Sequence, residues 1–177
     1  MEGYLLDANH VIPLLRGDDS RRAAILTQME TVSADSPAFI AAATLAELEV
    51  GCCFGSRERS AAQAEIRETI RTNNVNVLDF TKNTAAEYGA LKAALMRKYN
   101  REGVRNAAKC PEVWTSPDKG ATLGVDEFDL LVVCHALERR LVLVTSDKML
   151  RICDGLAETA ERLRFEDWIG PQSVDAT

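Results

Sequence analysis

Short apolar runs alternate with helix-periodic runs along nearly the whole chain, and acids stand where several of them meet. Strands separated by helices pair in parallel, because parallel neighbours need a long crossover, and the helices then cover both faces of the sheet. Tyr4-Leu5-Leu6-Asp7 reads as a short buried strand ending in an acid. From Asn9 a helix carries Val11, Ile12, Leu14 and Leu15, with Gly17 as its expected C-cap. A second helix over Arg21–Glu30 follows a cap at Asp18, Asp19 or Ser20. Pro37–Ala41 reads as a buried strand, Ala43–Phe54 and Ser56–Thr72 as helices, and Val75–Leu78 as a third strand. Ala85–Tyr99 is strongly periodic, with Tyr88, Leu91, Leu95 and Tyr99 on one face. The sequence then loses periodicity from Asn100 to Gly124, which reads as a long surface loop. Order returns with a helix over Asp126–Arg139 and a strand over Leu141–Val144. A short helix after Asp147 and a last strand in Arg164–Trp168 complete the pattern.

The expected fold is therefore α/β, a three-layer α/β/α sandwich around a mainly parallel sheet. At 177 residues the chain fits one domain, here residues 1–170, with a frayed tail over 171–177. The hydrophobic fraction of 46% and the charged fraction of 27% are those of an ordinary globular protein. No apolar run is long enough to span a bilayer, and no secretory signal is visible at the N-terminus, so a cytoplasmic protein is expected. The five cysteines are odd in number and fit no zinc spacing, which reads as reduced core thiols. A net charge of −6 argues against coating duplex DNA by bulk charge, although an acidic metal site can coexist with a local basic surface.

In open α/β sheets chemistry gathers at the carboxyl ends of the strands, where Asp7 and Asp147 fall. Asp129 directly precedes the apolar run Leu130–Val133, and Glu47 lies mid-helix among alanines and leucines. Isolated buried carboxylates shift their pKa or find a partner, and several together suit a hard divalent cation with oxygen ligands. Each acid also has a plainer reading. Asp126 suits an N-cap or a dipole partner, Glu47 a surface acid on an amphipathic helix, and Glu127 a solvated side chain at the edge of a site. Glu49, two residues from Glu47, faces another direction. No glycine-rich phosphate loop and no His-Glu-x-x-His pattern occurs. With only two histidines a zinc site is not expected, and His135 in its apolar helix reads as packed core.

Four segments carry a resemblance: Leu5-Leu6-Asp7-Ala8-Asn9, Thr44–Gly51, Asp129–Leu137 and Leu143-Val144-Thr145-Ser146-Asp147. In this order and spacing they resemble the signatures of PIN-domain nucleases, closest to the VapC-like ribonuclease toxins of toxin–antitoxin pairs. The resemblance runs from about Tyr4 to Trp168. It implies acids gathered at one end of the sheet and Mg2+- or Mn2+-dependent cleavage of RNA. Asp7, Glu47, Asp129 and Asp147 match the acidic, metal-holding positions. Thr145 matches the small hydroxyl residue before the last acid, where it would orient a water or a carboxylate, and Asn9 a supporting hydrogen-bonder. The stretch Asn100–Gly124 is longer than in many compact members. Arg97, Lys98, Arg101, Arg105 and Lys109 are candidate phosphate contacts, or else a solvated charged face.

The resemblance further implies a small antitoxin protein as partner. It would lay a helix in a groove and put a basic side chain into the acidic site. The apolar faces of the first two helices offer such a groove, or a homodimer interface. Single-stranded or loop RNA is the expected substrate. Two other classes stay open. One is a PIN-like scaffold that keeps the acids without catalysis. The other is an aspartate-based phosphatase or receiver domain. Asn9 stands where the phosphatase needs its second Asp, and Glu2 and Lys148 match a receiver's acids and lysine poorly.

Overall fold

The computed structural model describes residues 3–17, 19–32, 36–54, 58–99, 111, 114, 124–147, 152 and 163–170. Among them the chain forms β1 (Tyr4–Leu6), α1 (Ala8–Leu15), α2 (Arg21–Thr31), β2 (Ala38–Ala41), α3 (Ala42–Phe54) and α4 (Arg59–Thr72). It continues with β3 (Val75–Leu78), α5 (Lys82–Tyr99), α6 (Glu127–Arg139), β4 (Val142–Val144) and β5 (Arg164–Glu166). The five strands make one sheet in the order β3-β2-β1-β4-β5, and every pairing is parallel. The expected α/β/α sandwich is thus the observed fold.

The side-chain period of two sorts the strands between two cores. Leu5, Ala41 and Leu143 pack on one face with Leu91 and Leu95 of α5 and Leu130, Val133 and Leu137 of α6. Tyr4, Leu6, Ile40, Val142 and Val144 face the other side, against Val11 and Leu14 of α1, Ile25 of α2, Leu48 of α3 and Ile66 of α4. β1 sits at the sheet centre and is buried throughout. Gly3 precedes it, and a Cβ there would stand 2.8 Å from Leu141 Cδ2, so the entry to the central strand has no room for a side chain.

Boundaries differ from expectation for local reasons. α1 stops at Leu15, and Arg16 takes the extended C-cap position one residue before the expected glycine cap. β4 starts one residue late because Leu141 N–H still closes on the Ala136 carbonyl, with Arg140 left-handed at φ 55°. α5 begins three residues early, where Thr81 caps it by accepting from the Asn83 and Thr84 N–H groups.

The surface-loop reading of Asn100–Gly124 fails at Trp114, which is buried in the core beside α5 and α6. An indole that size is held inside by its area whatever the periodicity around it. The rest of that stretch, except Pro111 and Gly124, lies outside the described residues. So do the short helix expected after Asp147, apart from Ile152, and the tail over 171–177. Cys52, Cys53 and Cys134 are free thiols. No helix among the described residues is long and apolar enough to cross a membrane.

Candidate functional site

Asp7 is the residue at which β1 becomes α1. Its N–H still joins the ladder through the Val144 carbonyl at 3.0 Å, and its carbonyl already accepts from His10 and Val11. The carboxylate is thereby fixed at the carboxyl edge of the central strand, and it is buried. Oδ1 accepts from Ala8 N–H at 2.7 Å and Oδ2 from the Thr145 hydroxyl at 2.8 Å. Burial raises the Asp7 pKa above its usual value, those two donors oppose the rise, and the charges of Asp147 and Asp126 add to it.

Thr145 follows β4 and is buried, with its backbone N–H on the Glu166 carbonyl. Besides donating to Asp7, its hydroxyl accepts from Asn9 Nδ2 and from Asp147 N–H, each at 3.1 Å. Asn9 Nδ2 also reaches Asp147 Oδ2 at 3.1 Å. Asp7, Asn9, Thr145 and Asp147 are therefore one hydrogen-bonded unit that ties the end of β1 to the end of β4.

Asp129 enters from α6. Asp126 and Asp129 form a capping box: Asp129 N–H donates to Asp126 Oδ1 at 2.8 Å, and Asp126 N–H to Asp129 Oδ2 at 2.9 Å. Burial pushes the Asp129 carboxyl up to about 7; the Asp126 N–H works against this, and the charges of Asp126, Asp7 and Asp147 reinforce it. Glu47 is exposed on α3, and its pKa is raised by burial of part of the side chain and by Asp7, Asp126 and Asp147. Charge rather than hydrogen bonding links Asp129 and Glu47 to the Asp7 unit. Asp126 caps the helix as its plainer reading required, yet it also adds to the field on three of the acids, which its sequence context does not reveal.

Other readings sort clearly. Glu49 turns away and accepts from Gln63 at 2.5 Å. Glu127 is not a solvated acid: it accepts from Lys92 Nζ at 2.7 Å and from the Tyr88 hydroxyl, partners one helix away that its own segment does not disclose. His135 is fully buried. Arg97 and Lys98 are exposed at the end of α5. Arg101, Arg105 and Lys109 lie outside the described residues. His10, given no role by the sequence, is fully buried beside Asn9.

The donor chemistry suits a hard divalent cation: all oxygen, mutually repelling, and with no Lys or Arg ion pair to any of the four acids among the described residues. Among the described residues no three His, Cys, Asp or Glu side chains already stand as a ready-made metal-binding group. Beside Glu47 opens a groove of about 740 Å3, floored by Ile12 and Leu15 of α1, Leu48 of α3 and Ile66 of α4, with Glu47 and Glu65 on its walls. This groove draws on α1, one of the two helices expected to offer such a surface, and takes its other walls from α3 and α4.

A five-stranded parallel sheet with carboxylates gathered at its carboxyl edge defines an α/β protein with an acidic candidate site. The PIN-domain family model matches residues 4–156, and the chain belongs to that family. Solved structures similar to this chain include VapBC2 from Rickettsia felis bound to a DNA fragment from its promoter (20% identity, 94% of this chain and 98% of that chain, TM-score 0.66). VapBC-1 from nontypeable Haemophilus influenzae is similar at 24% identity, over 95% of this chain and 99% of that chain, with TM-score 0.66. VapBC-5 from Mycobacterium tuberculosis, of the VapBC family of toxin–antitoxin systems, is similar at 17% identity, over 94% and 99%, with TM-score 0.51. At these identities the likeness is one of fold. No curated protein matches the sequence.

Proposed function

We propose that the protein is a metal-dependent endoribonuclease and the toxin of a toxin–antitoxin pair. The observation that carries the reading is the group of carboxylates at the sheet edge whose pKa values are raised by burial and by one another's charge, with no Lys or Arg paired to them among the described residues. A protein that keeps such repulsion loses stability unless a positive charge arrives. Asp7, Glu47, Asp129 and Asp147 would hold Mg2+ or Mn2+. The ion would supply water activation and charge stabilisation at a phosphodiester.

The chain's own residues prepare that chemistry. Thr145 fixes one Asp7 oxygen and leaves Oδ1 shared with a backbone N–H. Asn9 holds Asp147, and the capping box holds Asp129. Glu47 and Asp147 are exposed, so side-chain rotation can bring them onto an ion. RNA with accessible backbone is the substrate class, and exposed Arg97 and Lys98 are candidate phosphate contacts.

The groove between α1, α3 and α4 supports an antitoxin element as partner: an amphipathic segment with a basic side chain at its Glu47 end. Val50 and Phe54, exposed on α3, support a homodimer, which light scattering at micromolar concentration tests. A protein that stayed monomeric would remove that part of the proposal.

The deciding experiment is cleavage of a mixed pool of structured RNAs with Mg2+, with Mn2+ and with EDTA, beside Asp129→Asn. Metal-dependent cleavage lost in the variant is the expected result. Absence of both cleavage and metal binding would favour a scaffold.

A further inference from the structure

His10 sits one helical turn into α1, fully buried, and both its ring nitrogens are engaged. Nε2 stands 3.2 Å from the backbone N of Trp168, and Nδ1 stands 2.6 Å from Asn9 Oδ1. A peptide N–H can only donate, so Nε2 must accept and the proton must sit on Nδ1. The Asn9 amide cannot be turned round, because its oxygen would then stand 3.1 Å from the Asp147 carboxylate. Turning it would also remove the acceptor that faces Ser146 N–H at 3.5 Å.

These constraints run in one direction through five groups. Trp168 N–H donates to His10 Nε2, and His10 Nδ1–H donates to Asn9 Oδ1. Asn9 Nδ2 donates to both Thr145 Oγ1 and Asp147 Oδ2. Thr145 Oγ1, already accepting from Asn9 and from Asp147 N–H, can only give its own proton to Asp7 Oδ2. The series begins at a group that cannot accept and ends at a carboxylate, so no member can reverse without breaking a neighbour's bond.

We propose that His10 is a positioning residue of the carboxylate site: a neutral, Nδ1-protonated imidazole that sets the polarity of the series and keeps Asp7 and Asp147 oriented. The inference rests on the metal-site reading above. Burial holds the imidazole below its usual pKa against the pull of nearby Asp167, consistent with the neutral ring. Asp167 Oδ1 stands 3.4 Å from the same Nε2, farther than the Trp168 nitrogen, and it already accepts from the N–H groups of Ile169 and Gly170 and from the Ser146 hydroxyl. Trp168, two residues past β5, thus holds the first helix's histidine across 158 positions of sequence.

The test separates the two faces of the ring. His10→Asn keeps a donor near the Nδ1 position and loses the contact to Trp168. His10→Gln keeps an acceptor near Nε2 and loses the donor to Asn9. Mn2+ affinity, measured by calorimetry, should fall about tenfold or more in His10→Gln and stay near wild type in His10→Asn. A merely structural clamp on Trp168 predicts the reverse order. In wild-type protein, a long-range 1H–15N spectrum should show Nδ1 protonated and Nε2 bare, a readout that needs no variant to fold. An Nε2-protonated ring, or a charged one at neutral pH, would overturn the proposal, as would His10→Gln with undiminished Mn2+ affinity. Wild-type protein that bound no Mn2+ would instead bring down the metal-site reading and this inference together.

Discussion

The two ends of α6 each hold partly buried acids, and they are built in opposite ways. At the C-terminal end burial pushes Glu138 up, but the hydroxyls of Thr84 and Thr81, with Arg139 and His135, outweigh it and leave its pKa lowered. Thr81 donates at 2.7 Å, and Thr84 and Arg139 complete the shell. At the N-terminal end Asp129 meets one N–H and three further acids, and its carboxyl rises to about 7. One end has been satisfied for stability. The other keeps a charge conflict that only something external can settle, as expected of a site rather than a structural contact.

The sharpest way to break this contrast is Asp7→Asn. It should abolish RNA cleavage while the protein unfolds in urea no earlier than wild type; undiminished cleavage would remove the site assignment. Glu138→Ala should do the opposite, costing about 1–3 kcal/mol in urea unfolding by removing the acceptor of the half-buried Thr81 and buried Thr84 hydroxyls, with Mn2+ affinity unchanged.

The third comparison uses pH. The folded Asp129 pKa of about 7 lies above its unfolded 3.8, so the folded state holds the extra proton between those values. Stability from this group is present below about pH 4 and is lost as pH rises through about 7, on the order of 2 kcal/mol after solvent screening. Urea midpoints of metal-free protein at acid and neutral pH should show the slope, Asp129→Asn should flatten it, and Mn2+ should offset it at neutral pH. An equal slope in the variant would mean that the conflict lies elsewhere. The smallest effect is expected at Arg140, exposed and left-handed at φ 55°. Arg140→Gly should stabilise the protein by no more than about 1 kcal/mol, and thermal unfolding can register that.

Much of this was legible in the sequence because the central strands β1 and β4 are buried on both faces. Apolar runs such as Tyr4-Leu5-Leu6 and Val142-Leu143-Val144 leave few other placements. Asp7 and Asp147 could be put at the strand ends for the same reason. Trp114 could not be placed, because a single large side chain seats an otherwise aperiodic stretch. The pairing of Glu127 with Lys92, and the part α4 plays in the groove, depend on how helices cross, which periodicity within one helix does not record. His10 is the extreme case: its partner is a backbone amide 158 residues away, and no side-chain pattern announces it.

The sheet order has a consequence in time. β1 precedes the other described strands in the chain, yet it lies at the centre, between β2 and β4. Asp7 must wait 138 residues for the hydroxyl that orients it. At cellular rates of synthesis that is roughly seven to thirty seconds. Throughout that interval Asp7 exists without the donor that aligns it, so the carboxylate unit can assemble only after β4 has been made.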